Sequence, residues 1–310
     1  MTSLLYGIIY ACALVFAAGC ILRALRYARM PLHLRWELYP VPHEAPERAA
    51  HGGSYFEQLD WWTQPRDSNF LGEIVAMLAE IVLLKGVWAH NRKLWFRSFP
   101  FHFGLYLLAA TAGLLALSAL LNLVAPTAMP GSFGVGLHYL YAFTGVLGVV
   151  LAIAGAAGLL FRRLTDSEVK VYTTPGDVFN LLAFVVTLGL LGAGYLLRPS
   201  TLSLRGIAEG ILRFDTALEI PGLLAAGLVM AALLAAYIPM TQMSHFIGKY
   251  FTYHSVRWDD RPNLRDGALE RKVAECVRYR PTWSAAHIGA DGSKTWADIA
   301  TTNPAQQVKK

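Results

Sequence analysis

Five apolar runs separated by polar segments set the plan of the chain: Leu4–Leu22, Phe101–Leu121, Gly136–Phe161, Val178–Leu197 and Ile220–Met240. Each has the roughly 17–25 residues that a helix needs to cross a hydrocarbon core about 30 Å thick. None contains Asp, Glu, Lys or Arg. The pattern predicts an all-α polytopic membrane bundle of five transmembrane helices. A different period starts at Phe70, where Leu71, Ile74, Val75, Leu78, Ile81 and Val82 recur at helical spacing while Glu73 and Glu80 share the other face. Two carboxylates and Lys85 predict an amphipathic helix lying on the inner surface rather than a sixth span. Ile207–Phe214 is expected to form a short amphipathic helix on the outer surface. Pro100 is expected to break the chain just before the second run, and Pro221 to open the fifth.

The polar segments divide the chain further. Residues 1–25 form the first span, 26–100 an inner loop carrying the interfacial helix, 101–245 a four-helix membrane core, and 246–310 an inner tail expected to dock a partner subunit. The loop is rich in proline and in aromatics such as Trp36, Tyr39, Tyr55, Phe56, Trp61 and Trp62. These fit either an ordered surface loop or an aromatic belt at headgroup level. The tail is short and poor in apolar residues, so order through a partner is expected of it.

Composition agrees with a membrane protein. Mean hydropathy is +0.40 and only 15% of the 310 residues are charged, against roughly 25% in soluble domains. Lys and Arg collect on the cytoplasmic side of membrane helices. With the N-terminus outside, all but three of the 27 basic residues (Arg198, Arg205 and Arg213) fall inside. The expected topology is thus an N-terminus outside and a C-terminus in the cytoplasm. The net charge of +6 is mostly this bias and does not imply nucleic-acid binding. Basic residues follow the first run rather than precede it, which predicts an uncleaved anchor. Cys12, Cys20 and Cys276 form neither a CxxC nor a disulfide framework.

Three of the nine histidines stand at membrane level, where an ionisable side chain is costly and usually functional. His102 opens the second span and His245 closes the fifth, so both fall near the same inner boundary. A neutral imidazole from each of two helices suits bis-histidine haem ligation, with His102 and His245 holding the iron. Pro239 would bend the fifth helix, Gly104 would leave room for the macrocycle, and Arg97, Arg162, Arg163 and Lys249 would face its propionates. The plainer alternative is two side chains reaching for the headgroups. His138, at the outer start of the third run, suits an interfacial contact, a quinone headgroup or a second haem.

The five spans, FHFG at 101–104 and the Pro239…His245 spacing resemble the gamma (cytochrome b) subunit of respiratory nitrate reductase. That family carries two haems b between its second and fifth spans, and the resemblance maps the inner pair of ligands onto His102 and His245. The outer pair maps onto Ala112 and Gly227, which cannot ligate. Longer segments at 31–44, 52–63, 90–104, 246–260 and 294–304 look like the membrane cytochrome b-like subunits of the transmembrane and high-molecular-weight cytochrome c complexes of sulfate reducers. That resemblance implies haem b, exchange of electrons with menaquinone, and a cytoplasmic iron–sulfur partner related to the catalytic subunit of heterodisulfide reductase. It also implies a periplasmic multihaem cytochrome c as a further partner. Two rival readings are a haem-free membrane anchor for a soluble redox protein and a small transporter. The second lacks charged residues in the spans and any evident inverted repeat.

Overall fold

A computed structural model of the protein describes residues 2–29, 59–63, 69–252 and 263–302. Most of the loop between the first and second spans, and the segment 253–262, lie outside the described residues. So do most of the motifs at 31–44, 52–63 and 246–260. The described helices are α1 (Thr2–Arg29), α2 (Phe70–Val82), α3 (Lys85–His90), α4 (Arg92–Val124), α5 (Ser132–Thr165), α6 (Ser167–Lys170) and α7 (Pro175–Leu196). They continue with α8 (Leu204–Arg213), α9 (Gly222–Tyr237), α10 (His245–Thr252), α11 (Ala268–Cys276) and α12 (Trp296–Thr301). Five of the described helical segments are long and apolar enough to cross a membrane: α1, α4, α5, α7 and Gly222–Met240. The molecule is therefore an all-α helical protein that fits a membrane setting. At 13 residues, α2 is about 20 Å long and too short to span.

The chain divides into two compact units, Met1–Ile21 with Leu78–Ser244 and Leu22–Met77 with His245–Lys310. In the first, α4 and α5 run antiparallel with their backbones in direct contact. An added Cβ at Gly155 would lie 2.3 Å from Phe101 N, and one at Gly104 would lie 2.5 Å from Ala152 N. Small residues let helices approach where lipid gives no hydrophobic drive. Between these contacts and the far end, Thr111 Oγ1 and Thr144 Oγ1 hydrogen-bond across the interface at 2.8 Å. Gly104 is thus a backbone contact between α4 and α5 rather than a gap beside His102.

The α7–α9 pair repeats the device. A Cβ at Gly194 would meet Leu224 Cα at 2.7 Å, and one at Gly227 would meet Leu191 N at 2.9 Å. Near the start of the chain, Leu5 and Tyr6 pack with Leu202, Ile207, Ile220 and Leu224. The amphipathic α8 lays Ile207 into this cluster, and the Tyr10 hydroxyl donates to the Ile211 carbonyl. The short helix expected at 207–214 exists, shifted toward the N-terminus, with the Ser203 side chain accepting from Gly206 N at 2.9 Å as its cap.

Two proline expectations need correction. Pro100 does not break the chain: α4 starts at Arg92 and carries Pro100 inside it. Asn91 caps that start by accepting from Leu94 N at 3.0 Å, so helix forms through the polar stretch before the apolar run begins. Pro239 ends its helix instead of bending it. After Tyr237 the chain makes two 3-10 turns, Ile238–Met240 and Gln242–Ser244, before α10 begins.

In the second unit, Tyr27 of α1 contacts Phe251 of α10, ring centroids 5.7 Å apart. The tail has order of its own over 263–302. A two-stranded antiparallel hairpin, Ser284–Ala285 with Ala290–Asp291, precedes α12. Trp296 N donates to the Tyr279 carbonyl at 3.0 Å and Ala297 N to the Val277 carbonyl at 2.8 Å, tying α12 to the chain leaving α11. Trp283 and Trp296 pack edge to face at 5.6 Å.

Candidate functional site

His102 lies two residues after Pro100 on an unbroken part of α4, half-buried. Its Nδ1 is 2.8 Å from the Ser98 carbonyl oxygen. A carbonyl only accepts, so Nδ1 carries the proton and the remaining lone pair of a neutral ring sits on Nε2. This is the tautomer-fixing hydrogen bond that metal-ligating histidines usually make. Phe101 meets the imidazole edge-on, centroids 5.3 Å apart, and is itself 9% exposed against Ala156, Leu181 and Phe184. One side of the ring is therefore held by the core. Along the next face, Trp95, Phe99 and Phe103 stack at i, i+4 and i+8, with centroids 4.4 and 5.4 Å apart.

His245 is placed differently from the expectation. It does not end the fifth span; it is the first residue of α10, beyond the 3-10 turns, and its side chain is exposed. It belongs to the second unit and His102 to the first. The turns before it are well anchored: Ser244, 2% exposed, donates to the Thr241 carbonyl at 2.7 Å. Gln242 Nε2 donates to Asp177 Oδ1 at 2.8 Å, and the Tyr237 hydroxyl donates to Asn180 Oδ1 at 3.1 Å. Asp177 also faces Arg163 at 3.4 Å.

His138 is exposed on α5, its Nδ1 2.8 Å from the hydroxyl of buried Tyr141. The partner lies three residues along the same helix, so the bond is local to α5. The expected propionate partners are engaged elsewhere in part. Arg162 Nε pairs with Asp166 at 3.2 Å, Arg163 pairs with Asp177, and Arg97 Nη1 donates to the Lys93 carbonyl at 2.9 Å.

Several contributors escape a reading for histidines. Ser98 carried a usable signal, four residues before His102 on a helix. Asn180 carried another, as a carboxamide inside an apolar run. Nothing local marks Gln242 as the partner of Asp177, since that pairing depends on how the fifth span ends. The protein matches no family model, no curated protein and no solved structure.

Proposed function

We propose that this chain is the haem b-carrying membrane subunit of a respiratory redox complex, exchanging electrons between menaquinone and a cytoplasmic iron–sulfur subunit in the bacterial cytoplasmic membrane. The observation that carries the proposal is the Nδ1 hydrogen bond of His102 to Ser98, which directs Nε2 chemistry from a helix long enough to span the membrane. His102 and His245 are the axial ligands in this reading, and the neutral imidazoles match the donor set of a b-type site. Bound haem would supply one-electron transfer; the chain supplies ligation, a low-dielectric surrounding and nearby cations that tune potential. Lys249, one turn beyond His245, and Arg97, one turn before His102, are the cations nearest in sequence to the two ligands.

We infer one haem rather than two. Ala112 is exposed on α4, and Gly227 lies against the α7 backbone with no space for a Cβ. Neither position of the outer pair supplies a side chain that can ligate. A periplasmic multihaem cytochrome c and a partner like the catalytic subunit of heterodisulfide reductase fit the same reading. The competing haem-free anchor is favoured by one observation, the exposure of His245 on a separate short helix.

A reduced-minus-oxidised absorbance spectrum of the purified subunit decides between them. Expected are b-type bands that disappear in His102→Ala and in His245→Ala and persist in His138→Ala. Normal haem content in the His245 variant overturns the ligand assignment, and absence of bands from intact native protein purified from haem-replete cells favours the anchor.

A further inference from the structure

A cavity of about 330 Å³ opens where the start of α4 meets the end of α5, lined by Asn91, Lys93, Arg97, Arg162, Asp166 and Glu168, with Phe161 and Thr165 beside them. Its volume is within the range of small-molecule sites. The lining holds charges of both signs. Lys93 and Arg97 come from α4, Asp166 and Glu168 from the α5–α6 junction. Arg97 is set in place by its stem, since a Cβ at Gly158 would lie 3.4 Å from Arg97 Cγ, and by its bond to the Lys93 carbonyl. Asp166 is set in place by Arg162 and by accepting from Glu168 N at 3.1 Å. Desolvation raises the Asp166 pKa, but the Arg162 guanidinium and the amides of Glu168 and Val169 outweigh it and hold the carboxyl below its usual range. The acid is thus ionised at neutral pH. Phe161, 64% exposed, is the last residue of its apolar run, so the cavity meets the lipid at the level where headgroups sit.

We propose that this cavity binds the headgroup of a zwitterionic phospholipid with a primary ammonium, phosphatidylethanolamine. The phosphate pairs with Lys93 and Arg97, the ammonium donates to Asp166 and Glu168, and the acyl chains run down past Phe161. Arg162 is already paired with Asp166, so a purely anionic headgroup held by Lys93 and Arg97 would leave Glu168 without a cation to face. A choline headgroup has no N–H to give the carboxylates. Basic pockets between membrane helices are familiar headgroup sites; the paired acids make this one selective for the zwitterion. The proposal does not require haem, although Arg97 is also the cation nearest His102 in sequence.

The test incubates delipidated full-length protein with equal amounts of phosphatidylethanolamine, phosphatidylcholine and phosphatidylglycerol of matched chains, then quantifies co-purifying lipid by mass spectrometry. Expected is about tenfold enrichment of phosphatidylethanolamine over phosphatidylcholine, which corresponds to ~1.4 kcal/mol. Glu168→Gln should lower that ratio severalfold while phosphate-dependent retention persists. The double variant Lys93→Gln, Arg97→Gln should lose retention altogether. Glu168 is exposed, and thermal melting verifies that its variant keeps the fold. Enrichment of phosphatidylglycerol, an unchanged lipid profile in both variants, or equal competition by soluble glycerophosphoethanolamine would each overturn the proposal.

Discussion

Two prolines precede the two candidate ligands, and the chain treats them in opposite ways. Pro100 is carried inside α4, and His102 comes next but one on the same helix. Pro239 lies beyond the end of α9, and His245 is reached only after two 3-10 turns. A proline beyond the first turn removes one backbone hydrogen bond and costs a helix about 3 kcal/mol. At Pro100 the neighbouring residue lies tight against α5 at Gly155, so continuing the helix retains a packed interface. At Pro239 the ring itself is buried, with the place of a Gly19 Cβ 2.9 Å from its Cγ, and side-chain hydrogen bonds from Tyr237 and Gln242 hold the broken segment to α7. The outcome of a proline is therefore decided by what its flanks touch.

The contrast between the two prolines can be broken at several points. The largest effect is expected from Gly155→Leu, which drives a side chain into the backbone of Phe101 and should cost on the order of 3 kcal/mol or more by overpacking. Loss of folded protein in a denaturant titration in detergent checks it, and near-native stability would mean that α4 and α5 do not touch there. Next comes Pro239→Ala. It should let helix continue toward Ser244 and turn the segment that carries His245; under the proposed function this reduces haem absorbance severalfold, whereas Pro100→Ala leaves the spectrum unchanged. Equal spectra from the two variants would erase the contrast.

Smaller effects sharpen it. Thr111→Val removes the hydroxyl pair between α4 and α5 and should cost about 0.6–1.7 kcal/mol, the range for hydrogen bonds between membrane helices, read from the same titration. The smallest effect lies in the tail. Hydrogen bonds from the Ser293 hydroxyl and amide and from Lys294 N hold the Asp291 carboxyl down to about 2. A depressed carboxylate stabilises the folded form above its unfolded value and loses that contribution as pH falls from ~4 toward 2. Trp fluorescence of the hairpin region should report progressive loosening over that window in the native protein and a flatter profile in Asp291→Asn.

Much of this architecture could be read from the chain. The five apolar runs all became helices because length and lack of charge already satisfy a bilayer. The period at 70–82 became α2 because its spacing has one helical solution. Helix ends were less legible. The start of α4 depends on a cap at Asn91 within a stretch rich in charge, and Ser132 opens α5 four residues before its apolar run. His102 and His138 stand on the helices expected of them, but His245 does not.

Sequence by itself determined which segments enter an apolar phase, since that depends on the solvation of each side chain and hardly on its neighbours. Tertiary structure alone decided what the small residues are for. Gly104, beside a candidate ligand, reads equally well as space for a cofactor or as a contact between backbones. Only the position of Ala152, far along the chain, selects the second. The same holds for the acids at the mouth of the cavity: Asp166 and Glu168 read as loop charges until α5 brings them opposite Lys93 and Arg97.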